Sequence, residues 1–262
     1  MTDFLDILAI ESIERVSKGY YDVQDRVERE PVSLLEAITT CKRIPVVAEI
    51  KKRSPSLGYL RDEIDPVQVS IAFKNGGAVG ISVITEPNRF GGSLQLLRGV
   101  RETVHLPLLM KDIVVREVQV EAASRLGADV VLLIAALFDR CYRELSVQNM
   151  INFAHSKNLE VILETHNEKE FSYALDTDAD IIGINNRDLR DLSVNLETAY
   201  KILKECKPDE KIVIVESGIQ DRGDLNKLLE VGADAFLIGS SIMKARDIEE
   251  KLREFTMTNE NC

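Results

Sequence analysis

Seven of eight short apolar runs in this chain end on polar residues, and most of these can carry or move a proton. Glu49 and Lys51 close the first run, Thr85 and Glu86 the second, Lys111 and Asp112 the third. Later runs end on Glu164-Thr165-His166, Asn185-Asn186-Arg187-Asp188, Glu216-Ser217-Gly218 and Gly239-Ser240-Ser241. A lysine within reach of carboxylates supplies an acid and a base together, as proton transfer to and from a substrate requires. Glu49 and Lys51 stand two apart, so on an extended strand both point to one face. Taken singly, each such residue reads equally well as a structural ion pair. As a set converging on one mouth they are desolvated together, and such clusters shift pKa values and mark function.

The last two runs carry small-residue turns, Ser217-Gly218-Ile219 and Gly239-Ser240-Ser241, each leading into helical sequence. Backbone N–H groups in such turns can cradle a phosphate, with Arg187 or Lys51 adding charge from the side. Other constellations are missing: there is no GxSxG, and no GxGxxG follows the first run. Cys41, Cys141, Cys206 and Cys262 form no CxxC, and His105, His155 and His166 belong to no metal-binding pattern. The cysteines are read as reduced thiols. Glu86, Asp112 and Glu164 have carboxylates for Mg²⁺, but neighbouring lysines compete as counter-ions, so neither metal nor cofactor is expected.

The elements that must position these residues follow from the spacing. The runs are Val46–Ile50, Val79–Ile84, Leu106–Met110, Val130–Ile134, Val161–Leu163, Ile181–Ile184, Ile212–Val215 and Ala235–Ile238. They are nearly all apolar rather than alternating, as parallel strands covered on both faces should be. Helical patterns separate them: a helix opening at Asp65-Pro66 and closing at Gly76-Gly77, then Arg116–Leu126, Leu145–His155, Glu168–Leu175, Leu196–Cys206, Asp221–Val231 and Ile242–Phe255. A weak repeat, Gly77-Ala78-Val79, Gly127-Ala128-Asp129, Asp178-Ala179-Asp180 and Gly232-Ala233-Asp234, precedes alternate runs at intervals of 50, 51 and 54 residues. Fourfold recurrence of a two-unit module predicts an α/β fold, a (β/α)8 TIM barrel. No linker divides the chain, so 1–262 is expected to be one domain, with a helical extension over 1–43 and the barrel over 44–262. The extension reads as helices Phe4–Ser17 and Pro31–Cys41 joined by the charged stretch Asp22–Glu30. The connection from Lys52 to about Ile64 is long for such a fold and suits a lid or binding loop. Barrels of this kind place their chemistry at the C-terminal strand ends, where the polar residues stand.

Composition narrows the partners. Asp plus Glu outnumber Lys plus Arg by 44 to 33 in 262 residues, a net charge of −11, so nucleic acid and anionic lipid would be repelled. The longest apolar run, Val130–Phe138, falls far short of the roughly 18 residues that span a bilayer. The first residues carry no secretory pattern, and a cytoplasmic location is expected.

Read in order, the strand-end segments closely resemble the indole-3-glycerol-phosphate synthase family of tryptophan biosynthesis. The matching stretches are Ala48-Glu49-Ile50-Lys51-Lys52-Arg53-Ser54-Pro55-Ser56, Ile81–Glu86 with Phe90-Gly91-Gly92-Ser93, and Leu109-Met110-Lys111-Asp112. They continue through Glu164-Thr165-His166, Ile182–Leu189, Glu216–Ile219 and Leu237–Ser241. The resemblance implies a cofactor-free carboxy-lyase that converts 1-(2-carboxyphenylamino)-1-deoxyribulose 5-phosphate to indole-3-glycerol phosphate. It further implies Lys111 as the acid of ring closure. A lysine can donate near neutrality if burial and a second cation lower its pKa, and Lys51 is the candidate for that cation. By the same resemblance Glu164 is the base and Lys51 the acid of dehydration, while Glu49, Asn185 and Glu216 orient lysines and substrate. Ser217, Gly218, Gly239 and Ser240 would hold the phosphate, and Phe90, Leu189 and Ile238 the aromatic ring. Ser54 and Ser56 would close over the substrate carboxylate. Two positions depart from the family pattern: Thr165, usually apolar, and Arg89, where an aromatic is expected.

Two other readings share these residues. In a Schiff-base aldolase on a sugar phosphate, Lys111 is a nucleophile instead of an acid. In a non-catalytic phosphate-binding barrel the turns bind and nothing turns over.

Overall fold

The computed structural model describes residues 3–55, 58–61, 63–140, 142, 144–206 and 210–258. Eight parallel strands close into a barrel: β1 (Val46–Ile50), β2 (Gly80–Ile84), β3 (Leu108–Lys111), β4 (Val130–Ile134), β5 (Glu160–Thr165), β6 (Ile181–Asn185), β7 (Ile212–Glu216) and β8 (Ala235–Ile238). Each pairs with the next, and β8 returns to β1 with Val46 opposite Phe236. Helices cover the outer face, so nearly every strand residue is buried on both sides, as the near-continuous apolar runs require.

Four strands continue past their apolar runs. Lys111, Thr165, Asn185 and Glu216 are last residues of β3, β5, β6 and β7, with Lys111 paired to Ile84 and Asn185 to Glu216. Ladder hydrogen bonds are made by the main chain, so a polar side chain does not stop the strand. The consequence is functional, because these groups sit on rigid elements rather than loops.

The repeat ahead of alternate strands has a physical reason. Its alanines, Ala78, Ala128, Ala179 and Ala233, are buried where helix meets strand. Three of its aspartates each accept an amide near the start of the preceding strand: Asp129 from Leu108, Asp180 from Val161 and Asp234 from Val213. Each thereby staples two neighbouring strands at the barrel floor.

Helix ends follow their caps. Asp65 accepts the Val67 amide to start the helix Pro66–Asn75 as the sequence predicts. Two expectations are corrected. The second helix of the extension spans only Leu34–Thr39, because Ser33 caps it through the Glu36 amide while Glu160 of β5 takes the Leu34 and Leu35 amides. The expected helix Ile242–Phe255 is two, Ser240–Met243 and Ile248–Thr256. Arg61 binds the Met243 and Ala245 carbonyls at the break, and Asp247 caps the second helix. The helix Leu94–Thr103, capped by Ser93, was not foreseen. The long connection after β1 folds into a small hairpin, Arg53–Ser54 against Gly58–Tyr59. Among the described cysteines Cys41 and Cys206 are free thiols; Cys141 and Cys262 lie outside the described residues.

The extension grips the barrel at both ends. Helix α1 (Phe4–Ser17) lies across the C-terminal mouth, where Arg15 pairs with Glu86 at 2.9 Å and Ser12 donates to the Ile113 carbonyl. The following segment runs down the wall: the Val27 amide donates to Arg125, and Arg29 pairs with Asp129. Helix α2 (Leu34–Thr39) then packs at the floor, against Gly80 at the start of β2. Among the described residues no helix is long and apolar enough to cross a membrane.

Asp129 holds that strap, the Leu108 amide and Arg101, the last at 2.8 Å. Asp129→Ala leaves a buried guanidinium without its counter-ion, and urea denaturation should register a loss of about 3–5 kcal/mol.

Candidate active site

The C-terminal ends of the strands form a cleft whose floor is charged and whose walls are apolar. Alternation along each strand turns Glu49 and Lys51, Lys111, Glu164, Asn185 and Glu216 into it together. At the centre, Lys111 Nζ lies 3.0 Å from Glu164 Oε2 and 2.5 Å from Glu216 Oε2. Beside this, Lys51 Nζ pairs with Glu49 Oε1 at 2.6 Å. His166 caps the outer side of Glu164, its Nε2 at 3.2 Å from Oε1 and its Nδ1 at 3.3 Å from Glu170.

The phosphate turns also open into the cleft. Ser217 and Gly218 both adopt left-handed backbone, φ +66° and +87°. That conformation is costly for serine, and Asn186 Nδ2, donating to the Ser217 carbonyl at 3.0 Å, helps hold it. Gly239 is required by proximity: a Cβ there would meet Glu49 Oε1 at 2.5 Å, so any side chain displaces the partner of Lys51.

Lys111, Glu164 and Glu216 are each shifted by burial and by one another. Burial by itself would lower the Lys111 pKa, but Glu164, Glu216 and Glu49 outweigh it and hold the ammonium well above its usual range. The expectation that Lys51 depresses Lys111 is therefore corrected: Lys51 is neutralised by Glu49, and carboxylates surround Lys111 instead. Burial pushes Glu164 upward, yet Lys111 and His166 together leave it far below the ordinary carboxylate range. Burial also raises Glu216, and there the nearby negative charge of Glu164 and Glu49 keeps it raised against the pull of Lys111. Two carboxylates on one ammonium are thus driven in opposite directions, the pattern that separates a base from a proton holder.

Phe90, Leu189 and Ile238 line the apolar side, with Arg187, Gly218, Ser240 and Ser217 at the rim. Arg187 donates its amide to Asn185 Oδ1 and one guanidinium hydrogen to the Leu192 carbonyl. One expected contact falls elsewhere. Ser54 is buried in the hairpin and is not part of the cleft wall, because its strand pairs with Gly58–Tyr59 above the mouth. Ser56 lies outside the described residues. The wall contains residues that the sequence reading did not select: Leu132 and Ile134 of β4, Ile113, and Leu8 from α1. The first two have a sequence signal, since period-two spacing puts them on one strand face; Leu8 has none, because only packing brings α1 over the mouth.

The two departures from the family pattern are accommodated locally. Thr165 faces away from the cleft and donates to the Gly183 carbonyl at 2.7 Å. Arg89 reaches α1, pairing with Glu11 and stacking over Phe4.

A family model described as indole-3-glycerol phosphate synthase matches residues 8–255. Among similar proteins, the indole-3-glycerol phosphate synthase of Haloarcula marismortui is 39% identical over 257 residues, covering 96% of this chain and 93% of that one. That of Campylobacter fetus is 35% identical, covering 92% and 97%. Solved structures with the same fold include a thiamine phosphate pyrophosphorylase from Pyrococcus furiosus, at TM-score 0.59 and 19% identity, covering 81% of this chain and 93% of that one. An N-acetylmannosamine-6-phosphate 2-epimerase from Clostridium perfringens aligns at TM-score 0.58 and 17% identity, with 82% and 93% covered. At such identities these two share the barrel alone.

The charge arrangement around His166 is measurable in the free protein. Burial acts to lower its pKa, but Glu164 and Glu170 raise it from 6.5 to about 9. Because the folded value is the higher one, the stability it contributes is full below pH 6.5 and is lost as pH rises through about 9. An NMR titration of the His166 ring should give a midpoint near 9; a midpoint at or below 6.5 would mean that burial prevails.

Proposed function

The chain belongs to the indole-3-glycerol phosphate synthase family, and we propose that it is a cytoplasmic carboxy-lyase making indole-3-glycerol phosphate from 1-(2-carboxyphenylamino)-1-deoxyribulose 5-phosphate. The observation that carries this reading is Lys111 held between two buried carboxylates beneath an apolar wall and two phosphate-type turns.

In this reading the phosphate sits on the backbone of Ser217, Gly218, Gly239 and Ser240, with Lys51 and Arg187 adding charge. The anthranilate ring lies against Phe90, Leu189 and Ile238, and Glu49, Asn185 and Glu216 orient lysines and hydroxyls. Lys111 protonates the ketose oxygen as the ring carbon bearing the carboxylate attacks the carbonyl carbon. Its raised pKa is no obstacle, because the oxygen becoming an alkoxide is more basic than the amine that Lys111 leaves behind. Loss of CO₂ then restores the aromatic ring.

Dehydration follows, with Lys51 protonating the departing hydroxyl and Glu164 removing a proton from the carbon beside the nitrogen. Glu164 is a weak base while Lys111 and His166 hold it. Drawing Lys111 toward substrate oxygen removes its largest cationic partner, so Glu164 gains basicity when the substrate is in place. A Schiff base at Lys111 would first need the ammonium deprotonated, against three carboxylates that favour its charge.

Turnover is followed by indole fluorescence without added metal. The wild type should convert the substrate, and Lys111→Ala should be slower by at least about 100-fold, the low end for a positioned acid. A borohydride-trapped adduct at Lys111 would favour the aldolase reading; binding without turnover would favour the scaffold.

A further inference from the structure

The proposed reaction has a proton balance that its own residues do not close. One proton goes to the ketose oxygen and a second to the departing hydroxyl, while one is withdrawn from carbon. A carboxylate has left as neutral CO₂ and a hydroxyl as water, so each turnover takes one proton from solvent. Substrate filling the cleft covers the lysines from the front, and a proton needs another way in.

We propose that His166 and Glu170 form that way, a relay that carries a solvent proton from a second cleft behind β5 to Glu164 and so to Lys111. Three contacts form the line. The middle one joins two buried atoms, Glu164 Oε1 and His166 Nε2, at ion-pair distance but not aligned as a hydrogen bond, so a small turn of the ring completes it. Lys111 Nζ lies 3.0 Å from Glu164 Oε2, Glu164 Oε1 lies 3.2 Å from His166 Nε2, and His166 Nδ1 lies 3.3 Å from Glu170 Oε2. The Glu170 carboxylate also accepts the His166 amide at 2.8 Å, which fixes the helix Glu168–Leu175 against the strand end. His166, Asn167 and Glu170 all line the second cleft, which shares only Leu189 with the first. Both relay side chains are largely buried yet still touch solvent, at 11% and 17% exposure.

The step is a charge-balanced hop. Imidazolium gives its Nε2 proton to Glu164 Oε1, leaving a neutral ring and a carboxylic acid. After ring closure Glu164 passes that proton to the Lys111 amine, restoring carboxylate and ammonium. In dehydration Glu164 then takes the carbon proton while Lys51 gives one to the hydroxyl. Cleft water moves that proton from Glu164 to Lys51 as product leaves, so the net proton is the one delivered through His166. Turning the side chain about both Cα–Cβ and Cβ–Cγ brings the bare Nε2 to the second cleft, where water returns the proton and the Glu170 carboxylate favours the recharged ring. The other charges around the second cleft are Asp139 and Arg140 after β4, and Asp188 and Arg190 after β6. Arg140 is held by Asp3 and Asp6, and Arg190 by Asp188, so Glu164 and Glu170 are the carboxylates that pair with His166. They keep the ring cationic at neutral pH and its proton in supply.

This inference rests on Glu164 and Lys111 acting as proposed above, and the test separates the two. In His166→Gln an amide keeps hydrogen-bonding capacity but cannot relay, so kcat should fall at least about tenfold with KM unchanged, a smaller loss than for a group touching the reacting atoms. In His166→Ala the same loss should be reversed by free imidazole, in a saturable manner, in the assay buffer. Wild-type kcat in His166→Gln, or no response of a slowed His166→Ala to imidazole, would reduce His166 to a structural role and overturn the relay. Glu164→Gln is measured alongside. If it turns over normally, the base assignment fails and the relay with it; if it is inactive while His166→Gln is normal, the relay alone is wrong.

Discussion

Everything at the mouth of this barrel depends on one buried ammonium shared by two buried carboxylates. An ion pair stripped of water repays its desolvation only when geometry is close and the remaining lone pairs are occupied. Here Lys111 meets Glu164 and Glu216 within hydrogen-bonding distance. Glu164 Oε1, 3.2 Å from His166 Nε2, and Glu216 Oε1 are buried without a hydrogen bond of their own, so the centre is close in geometry but left open to a substrate. Remove the lysine and two buried carboxylates face one another at the floor of the cleft; remove either carboxylate and the other groups shift their protons. The centre is a coupled set, and that coupling lets substrate binding redistribute protons.

The fold holds this set still. Lys111, Glu164, Asn185 and Glu216 project from hydrogen-bonded strands, and Asn185 stands opposite Glu216 in register. Gly239 leaves the space that Glu49 occupies. From above, Arg15 of α1 binds Glu86, whose carboxylate also accepts the amides of Asn88, Arg89 and Phe90. Phe90 is therefore placed by a chain of contacts that begins in the extension and not in the barrel.

What could be read from the sequence divides along physical lines. Parallel strands buried on both faces write continuous apolar runs, so β1–β8 and the residues at their ends were legible. Caps made by local side chains, such as Asp65, were legible for the same reason. Boundaries set by distant partners were not: α2 is shortened by Glu160, and the last helix is broken where Arg61 binds two carbonyls. Leu8 was hidden because nothing in α1 states which face of the barrel it will cover. The sign of the Lys111 shift was hidden too, since spacing shows which charges converge but not that Glu49 neutralises Lys51 before it can act on Lys111. His166 was visible only as a neighbour of Glu164; its contact with Glu170 needed the helix.

The central claim is that carboxylates outweigh burial at Lys111 in the unliganded protein. Its most direct test is a ¹⁵N NMR titration of the Lys111 side chain, assigned with Lys111→Arg. The account predicts that Lys111 remains an ammonium at pH 10.5, the ordinary lysine midpoint, and loses its proton only above it. Deprotonation near neutrality would contradict the account, for it would mean that burial governs the site and that the chemistry starts from a free amine.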